Sequence, residues 1–157
     1  MTFQIYKSQY NSNSLTGQVG GSIGSSVLSG FLSELFYHVE APPSGTTNAV
    51  YQYRKVFIKN TYPATSETTK VWLESVEHPE QIHISLSASL NDTSSTATGQ
   101  PAGVTGWVNP DTYATGLSIG NLASNAYTGI WIREGLSGIS TADPFASFRL
   151  VVGGIVG

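Results

Sequence analysis

The sequence predicts an all-β fold, an antiparallel β-sandwich or jelly roll of about seven to eight strands with a Gly/Ser-rich N-terminal arm. Three observations carry this. Apolar residues recur at every second position in several short runs, which is the period of a strand with one face on a core. No run sustains the 3.6-residue period of a helix. Clusters of Gly, Ser, Asn and Pro separate the runs, as turns do. The length of 157 residues suits one domain. The reading places an N-terminal arm and Gly/Ser-rich segment at 1–30 and the sandwich domain at 31–157.

In chain order, Phe3 to Tyr10 reads as a strand or extended arm, and Asn11 to Gly30 as an irregular segment rich in Gly and Ser. The only helix candidate is Ser25 to Leu35, and Gly30 interrupts it. Glu34 to Glu40 is a strand stopped by Ala41-Pro42-Pro43-Ser44-Gly45. Val50 to Asn60 puts Tyr51, Tyr53 and Phe57 on one face and Val56 and Ile58 on the other. Apolar groups on both faces mark a central or covered strand. Lys70 to Val76 and Gln81 to Leu90 alternate on either side of Glu77-His78-Pro79-Glu80, which predicts an antiparallel hairpin. Asn91 to Gly106 is a polar loop of small residues. Val104 to Val108 is a weak strand ended by Asn109-Pro110-Asp111, and Tyr113 to Ala126 is irregular. Thr128 to Glu134 pairs Ile130 with Ile132, and Phe145 to Val152 aligns Phe148, Leu150 and Val152.

Charge is scarce. Charged residues make up 11% of the chain, against about 25% in a typical soluble domain. Seven Lys+Arg face ten Asp+Glu, for a net charge of −3, so no basic field exists to hold nucleic acid. No apolar run is long enough to span a membrane, and the first residues lack the order of a signal peptide. Ser and Thr, roughly a quarter of the chain, supply the polarity instead. Such a surface fits either a protein hidden in an assembly or exposed strand faces rich in Ser and Thr. There is no cysteine, hence neither disulfide nor thiolate metal site.

The residues that carry chemistry are few. Gly116-Leu117-Ser118-Ile119-Gly120 matches G-x-S-x-G, but a nucleophile elbow needs a strand before, a helix after and a following His, and no His lies beyond His83. His38 and Glu40 share a strand face but do not complete a metal site; His38, His78 and His83 read as surface histidines. Glu74, Glu77 and Glu80 read as a solvated hairpin end. Gly17, Gly20, Gly21 and Gly24 lack the Gly-Lys-Ser/Thr of a P-loop. Asn91-Asp92-Thr93 fits a glycosylation sequon and reads as a loop. No catalytic, metal or cofactor-binding residue is assigned, and the expectation is a non-enzyme. Tyr6, Tyr10, Tyr51, Tyr53, Trp72, Trp107, Tyr113 and Trp131 remain, as core, as interface anchors or as a sugar-stacking platform.

A resemblance joins these segments. Leu15-Thr16-Gly17-Gln18-Val19-Gly20-Gly21-Ser22-Ile23, Glu34-Leu35-Phe36-Tyr37-His38-Val39, Tyr53-Arg54-Lys55-Val56-Phe57-Ile58-Lys59-Asn60-Thr61, Lys70-Val71-Trp72-Leu73 and Gly129-Ile130-Trp131-Ile132-Arg133-Glu134 together resemble small β-sandwich structural proteins of tailed-bacteriophage virions. Capsid decoration, or cement, proteins fit the size. Glu134 departs from that look, in which a second basic residue follows Arg133. The resemblance implies a non-enzymatic building block, made in the host cytoplasm and placed on the outer capsid surface of the virion. It would bind the major capsid protein and itself, as a homotrimer, with no nucleic acid or membrane partner. Phe3, Ile5, Tyr6, Tyr10 and Leu15 are the expected partner contacts, set in the arm. The competing expectation is a carbohydrate-binding module of a phage tail or other host-surface recognition protein, with Trp107, Asn109, Asp111 and Tyr113 on the glycan.

Overall fold

The computed structural model describes residues 3–31, 35–36, 50–74, 82–97, 99–136 and 149–156. They form nine strands and no helix: β1 (Phe3–Asn11), β2 (Val19–Leu28), β3 (Tyr51–Asn60), β4 (Ser66–Glu74), β5 (Ile82–Leu86), β6 (Ser95–Thr96), β7 (Leu117–Leu122), β8 (Tyr127–Gly135) and β9 (Arg149–Val156). All pairings are antiparallel. A six-stranded sheet runs β5-β8-β3-β1-β2-β6, and a three-stranded sheet runs β7-β4-β9. The all-β, sandwich-like fold is as the alternation predicts.

The main core lies between the sheets. Ile5, Val56, Ile58, Ile82, Ile84, Ile130 and Ile132 come from the larger sheet; Val71, Leu73 and Leu150 come from the smaller one. Each is the inward member of an alternating run. A second cluster covers the opposite face of the larger sheet. There Val104, with Trp107 partly buried beside it, packs on Val19, Tyr53 and Trp131. The 99–107 loop thus lies over the sheet's outer face. This double cover explains why β3 is buried on both sides, as its sequence anticipates.

Several expectations change. Residues 1–30 were expected as an arm, but β1 is an interior strand between β2 and β3, and β2 pairs with it. Propensity hides β2, whose Gly and Ser are poor strand formers; pairing with β1 overrides it. Ser25 to Leu28, in the helix candidate, belong to β2. The β4–β5 hairpin is not formed: β4 lies in the smaller sheet and β5 in the larger. Val71, Leu73, Ile82 and Ile84 share one core cluster instead, which satisfies the same alternation. Of the described residues 82–90, Ile82–Leu86 form a strand, and Leu90 is exposed; Gln81 lies outside the described residues. Val104 to Val108 contributes a single bridge, Val108 to Ile84. β7 arises within the segment read as irregular. The Glu34–Glu40 strand, apart from Leu35 and Phe36, lies outside the described residues, as do the Glu77–Glu80 turn and Phe145 to Phe148.

Candidate functional site

β3 carries two adjacent cations into the interior, and each needs acceptors because an unpaired buried charge is costly. Arg54 points to the main core. Its Nε donates to the Leu35 main-chain oxygen at 2.8 Å, Nη1 to the Tyr53 oxygen at 2.9 Å and Nη2 to Asn13 Oδ1 at 2.9 Å. Lys55 points to the outer face. Its Nζ reaches over β1 and donates to the main-chain oxygens of Asp92 at 2.7 Å, Gly21 at 3.2 Å and Ser94 at 3.2 Å. Asp92 Oδ2 lies 3.4 Å away, and the Lys55 side chain is 0% exposed. The rings of Phe57 and Trp131 flank the ammonium at 5.0 and 5.4 Å. This group pins the loop after β5 to the sheet. Two cations amid apolar residues of one central strand were the sequence signal for it, and Asp92 carried none.

Two carboxylates set opposite pH limits. Burial works against the Asp92 carboxylate, but hydrogen bonds from Ser94 and Ser87 and the Lys55 charge outweigh it and pull its pKa from 3.8 to about 2. Burial pushes Glu134 up from 4.5 to about 7, with Arg54 opposing. Asp92 therefore stabilises the fold fully above pH 3.8, and that share is lost as pH falls through 2. Glu134 contributes below pH 4.5, and its share is lost as pH rises through 7. We expect unfolding free energy, measured by urea titration, to fall by on the order of 1–3 kcal/mol between mildly acidic and mildly alkaline pH. Glu134→Gln should flatten that slope; an unchanged slope in the variant would refute the assignment.

The expected partner contacts do not form one patch. Ile5 is in the core and Phe3 packs against it. Tyr6 lies on the outer face, its hydroxyl donating to Gln4 Oε1 at 2.8 Å and Lys59 Nζ 5.9 Å from its ring centre. Tyr10 is exposed near the other end of β1, and Leu15 is half-buried in the turn before β2. Phe3 and Ile5 do share a feature absent from the sequence reading. With Val27, Leu28, Leu150 and Val152 they line a groove of about 300 Å³ between the sheets, where β1 and β2 approach β9. Beside it Val27 is 53% exposed and Phe31 50%.

The expected glycan contacts are divided between two faces. Trp107 lies on the outer face of the larger sheet, 5.7 Å from Tyr53 between ring centres. The chain then passes the edge of β5 through the Val108 bridge, and the Pro110 oxygen accepts from Leu73 N on β4. Tyr113 emerges on the outer face of the smaller sheet, edge-on to Trp72 at 5.8 Å, donating to the Thr68 oxygen at 3.0 Å. Asp111 accepts from Thr115 Oγ1 at 3.1 Å within an exposed turn, and Asn109 is half-buried between the two aromatics in sequence. Trp107 has other neighbours. Arg133 stacks between the Trp107 ring, 4.9 Å away, and the Tyr51 ring, 4.6 Å away. Across the ladder from Arg133 stand Tyr53 on one side and His83 on the other. Burial and the Arg133 charge both hold the His83 pKa below its usual value.

Elsewhere the chemical candidates disperse. Ser118 is an exposed residue of β7, paired with Lys70 of β4, and the chain continues as strand and turn where an elbow requires a helix. Glu74 accepts from Trp72 Nε1 at 3.0 Å. His38, Glu40, His78, Glu77 and Glu80 lie outside the described residues. Among the described residues no cluster of three metal-ligating side chains occurs. Two features persist among the described residues as candidate binding sites: the groove between β1–β2 and β9, which also holds Gln4, Ser29 and Arg149, and the Arg133 stack on the outer face of the larger sheet. Compared with protein-family models, curated proteins and solved structures, the chain matches none.

Proposed function

We propose that this chain is a non-enzymatic structural protein of a tailed-phage virion, decorating and stabilising the capsid by binding the major capsid protein as an oligomer. The observation that carries the reading is the groove between β1–β2 and β9, with Val27 exposed in its lining and Phe31, bridged to the lining residue Arg149, exposed beside it. A cleft of apolar side chains that also holds Gln4, Ser29 and Arg149, with exposed large side chains beside it, favours contact with another protein over solvent. Burial of apolar area contributes about 25 cal/mol per Å², and an oligomer multiplies weak individual contacts. The resemblance in the sequence supplies the virion context.

Removing the N-terminal residues would not test this, because β1 is an interior strand and its loss would unfold the sheet. Point changes at the rim avoid that problem. Val27→Asp and Phe31→Asp, together, are expected to lower occupancy on capsids assembled without the chain by about tenfold or more, equivalent to at least ~1.4 kcal/mol. Because both side chains are exposed, the urea midpoint should move little. Undiminished occupancy would exclude the groove as the contact. Failure of the unaltered chain to bind capsids would exclude the reading itself.

A further inference from the structure

Arg133 has a setting that the capsid reading leaves unused. The chain has only seven Lys+Arg, and two are consumed in the interior by Lys55 and Arg54. Arg133 instead stands on the outer sheet face with its guanidinium held between the rings of Tyr51 and Trp107. No carboxylate pairs with it among the described residues, whose one ion pair is Lys55–Asp92. Its buried Nε and the buried Trp107 Nε1 next to it both lack an acceptor. Buried donors without acceptors are rare and call for an explanation. The two ring contacts restrict the side chain, which cuts the entropy lost when its fork meets a carboxylate. Tyr51 is 39% exposed, so part of this residue stays accessible beside the cation.

We propose that Tyr51, Trp107 and Arg133 form a binding site for an acidic saccharide, a sugar ring that stacks on Tyr51 while its carboxylate meets the Arg133 fork. The chemistry requires both halves. An aromatic face without a cation would take neutral sugars equally, and a cation without an open ring would take any carboxylate. The site differs from the set expected from sequence, of which only Trp107 takes part, and it holds whether or not the chain rides on a capsid.

The test is calorimetric titration of the full chain with a sialylated oligosaccharide, a uronate-terminated oligosaccharide and the neutral parent of each, with sodium acetate as the carboxylate alone. At least one acidic sugar should bind about tenfold or more tightly than its neutral parent and than acetate. Arg133→Met should abolish that preference. Tyr51→Ala should weaken acidic and neutral sugars alike; the exposure of Tyr51 makes it the variant to rely on if Arg133→Met fails to fold. Tyr113→Ala, on the other sheet, should bind as the unaltered chain does. Equal binding of acidic and neutral sugars, no binding of either acidic sugar, acetate binding as well as the sugars, or an Arg133→Met protein that keeps the preference would each overturn the proposal.

Discussion

Replacing Lys55 by Met should destabilise the protein by about 3–5 kcal/mol, the usual cost of removing one partner from a buried ion pair. Methionine fills much of the same volume, so lost packing is minor. What is lost is the donor for three main-chain oxygens, those of Gly21, Asp92 and Ser94, and the charge opposite Asp92. The consequence is local before it is global. The loop following β5 is tied to β2 by Gly21 N donating to the Ser94 oxygen at 2.8 Å, and Lys55 holds that same oxygen. Hydrogen exchange at the Gly21 amide should therefore accelerate in Lys55→Met more than at amides of the β3–β8 ladder. Asp92→Asn should cost less, about 1–3 kcal/mol, since the single amide oxygen can keep either the Ser94 N–H bond or the Ser87 and Ser94 hydroxyl bonds, and Lys55 keeps its three main-chain acceptors. A Lys55→Met protein with an unaltered urea midpoint would show that the ammonium does not hold the loop.

Gly20→Ala should be nearly as damaging, at about 2–5 kcal/mol from left-handed backbone strain plus overpacking. Gly20 has φ +92°, and a Cβ there would lie 2.5 Å from Trp131 Cη2 and 2.9 Å from the Ser94 main-chain oxygen. Trp131 is fully buried beneath it and cannot retreat without opening the outer cluster. Gly120 provides the control. Its φ is +84°, yet nothing lies within 4 Å of its would-be Cβ. Gly120→Ala should therefore show strain alone, about 1–2 kcal/mol. Equal urea midpoints for the two variants would mean that the close approach to Trp131 contributes nothing.

The two substitutions mark a boundary in what could be read in advance. Lys55 is a cation inside a strand marked for burial on both faces, a signal that the reading of the sequence does not single out. Asp92 gives no signal, because a lone Asp in a Ser/Thr-rich loop looks solvated. Gly20 was indistinguishable from its neighbours Gly17, Gly21 and Gly24, and the whole stretch read as an arm. The Arg133 stack shows the same limit. Its strand was found by alternation, but Tyr51 and Trp107 lie 82 and 26 positions away along the chain, and nothing local signals that they share a face with it.

By itself, the sequence determined the fold class and the inward faces of β5, β8 and β9, because a period of two with one apolar face leaves only one way to bury Val, Ile and Leu. It also determined the scarcity of charge and the absence of cysteine chemistry. The tertiary structure alone decided that β4 and β5 belong to different sheets, that a Gly/Ser stretch becomes β2, and that the 99–107 loop closes over Trp131. It alone split Trp107 from Tyr113 and brought Arg133 between two rings. The reason is physical: burial pattern is a property of neighbours a few residues apart, whereas strand pairing and loop cover are contacts between distant segments, selected by how the whole chain satisfies its hydrogen bonds and fills its core.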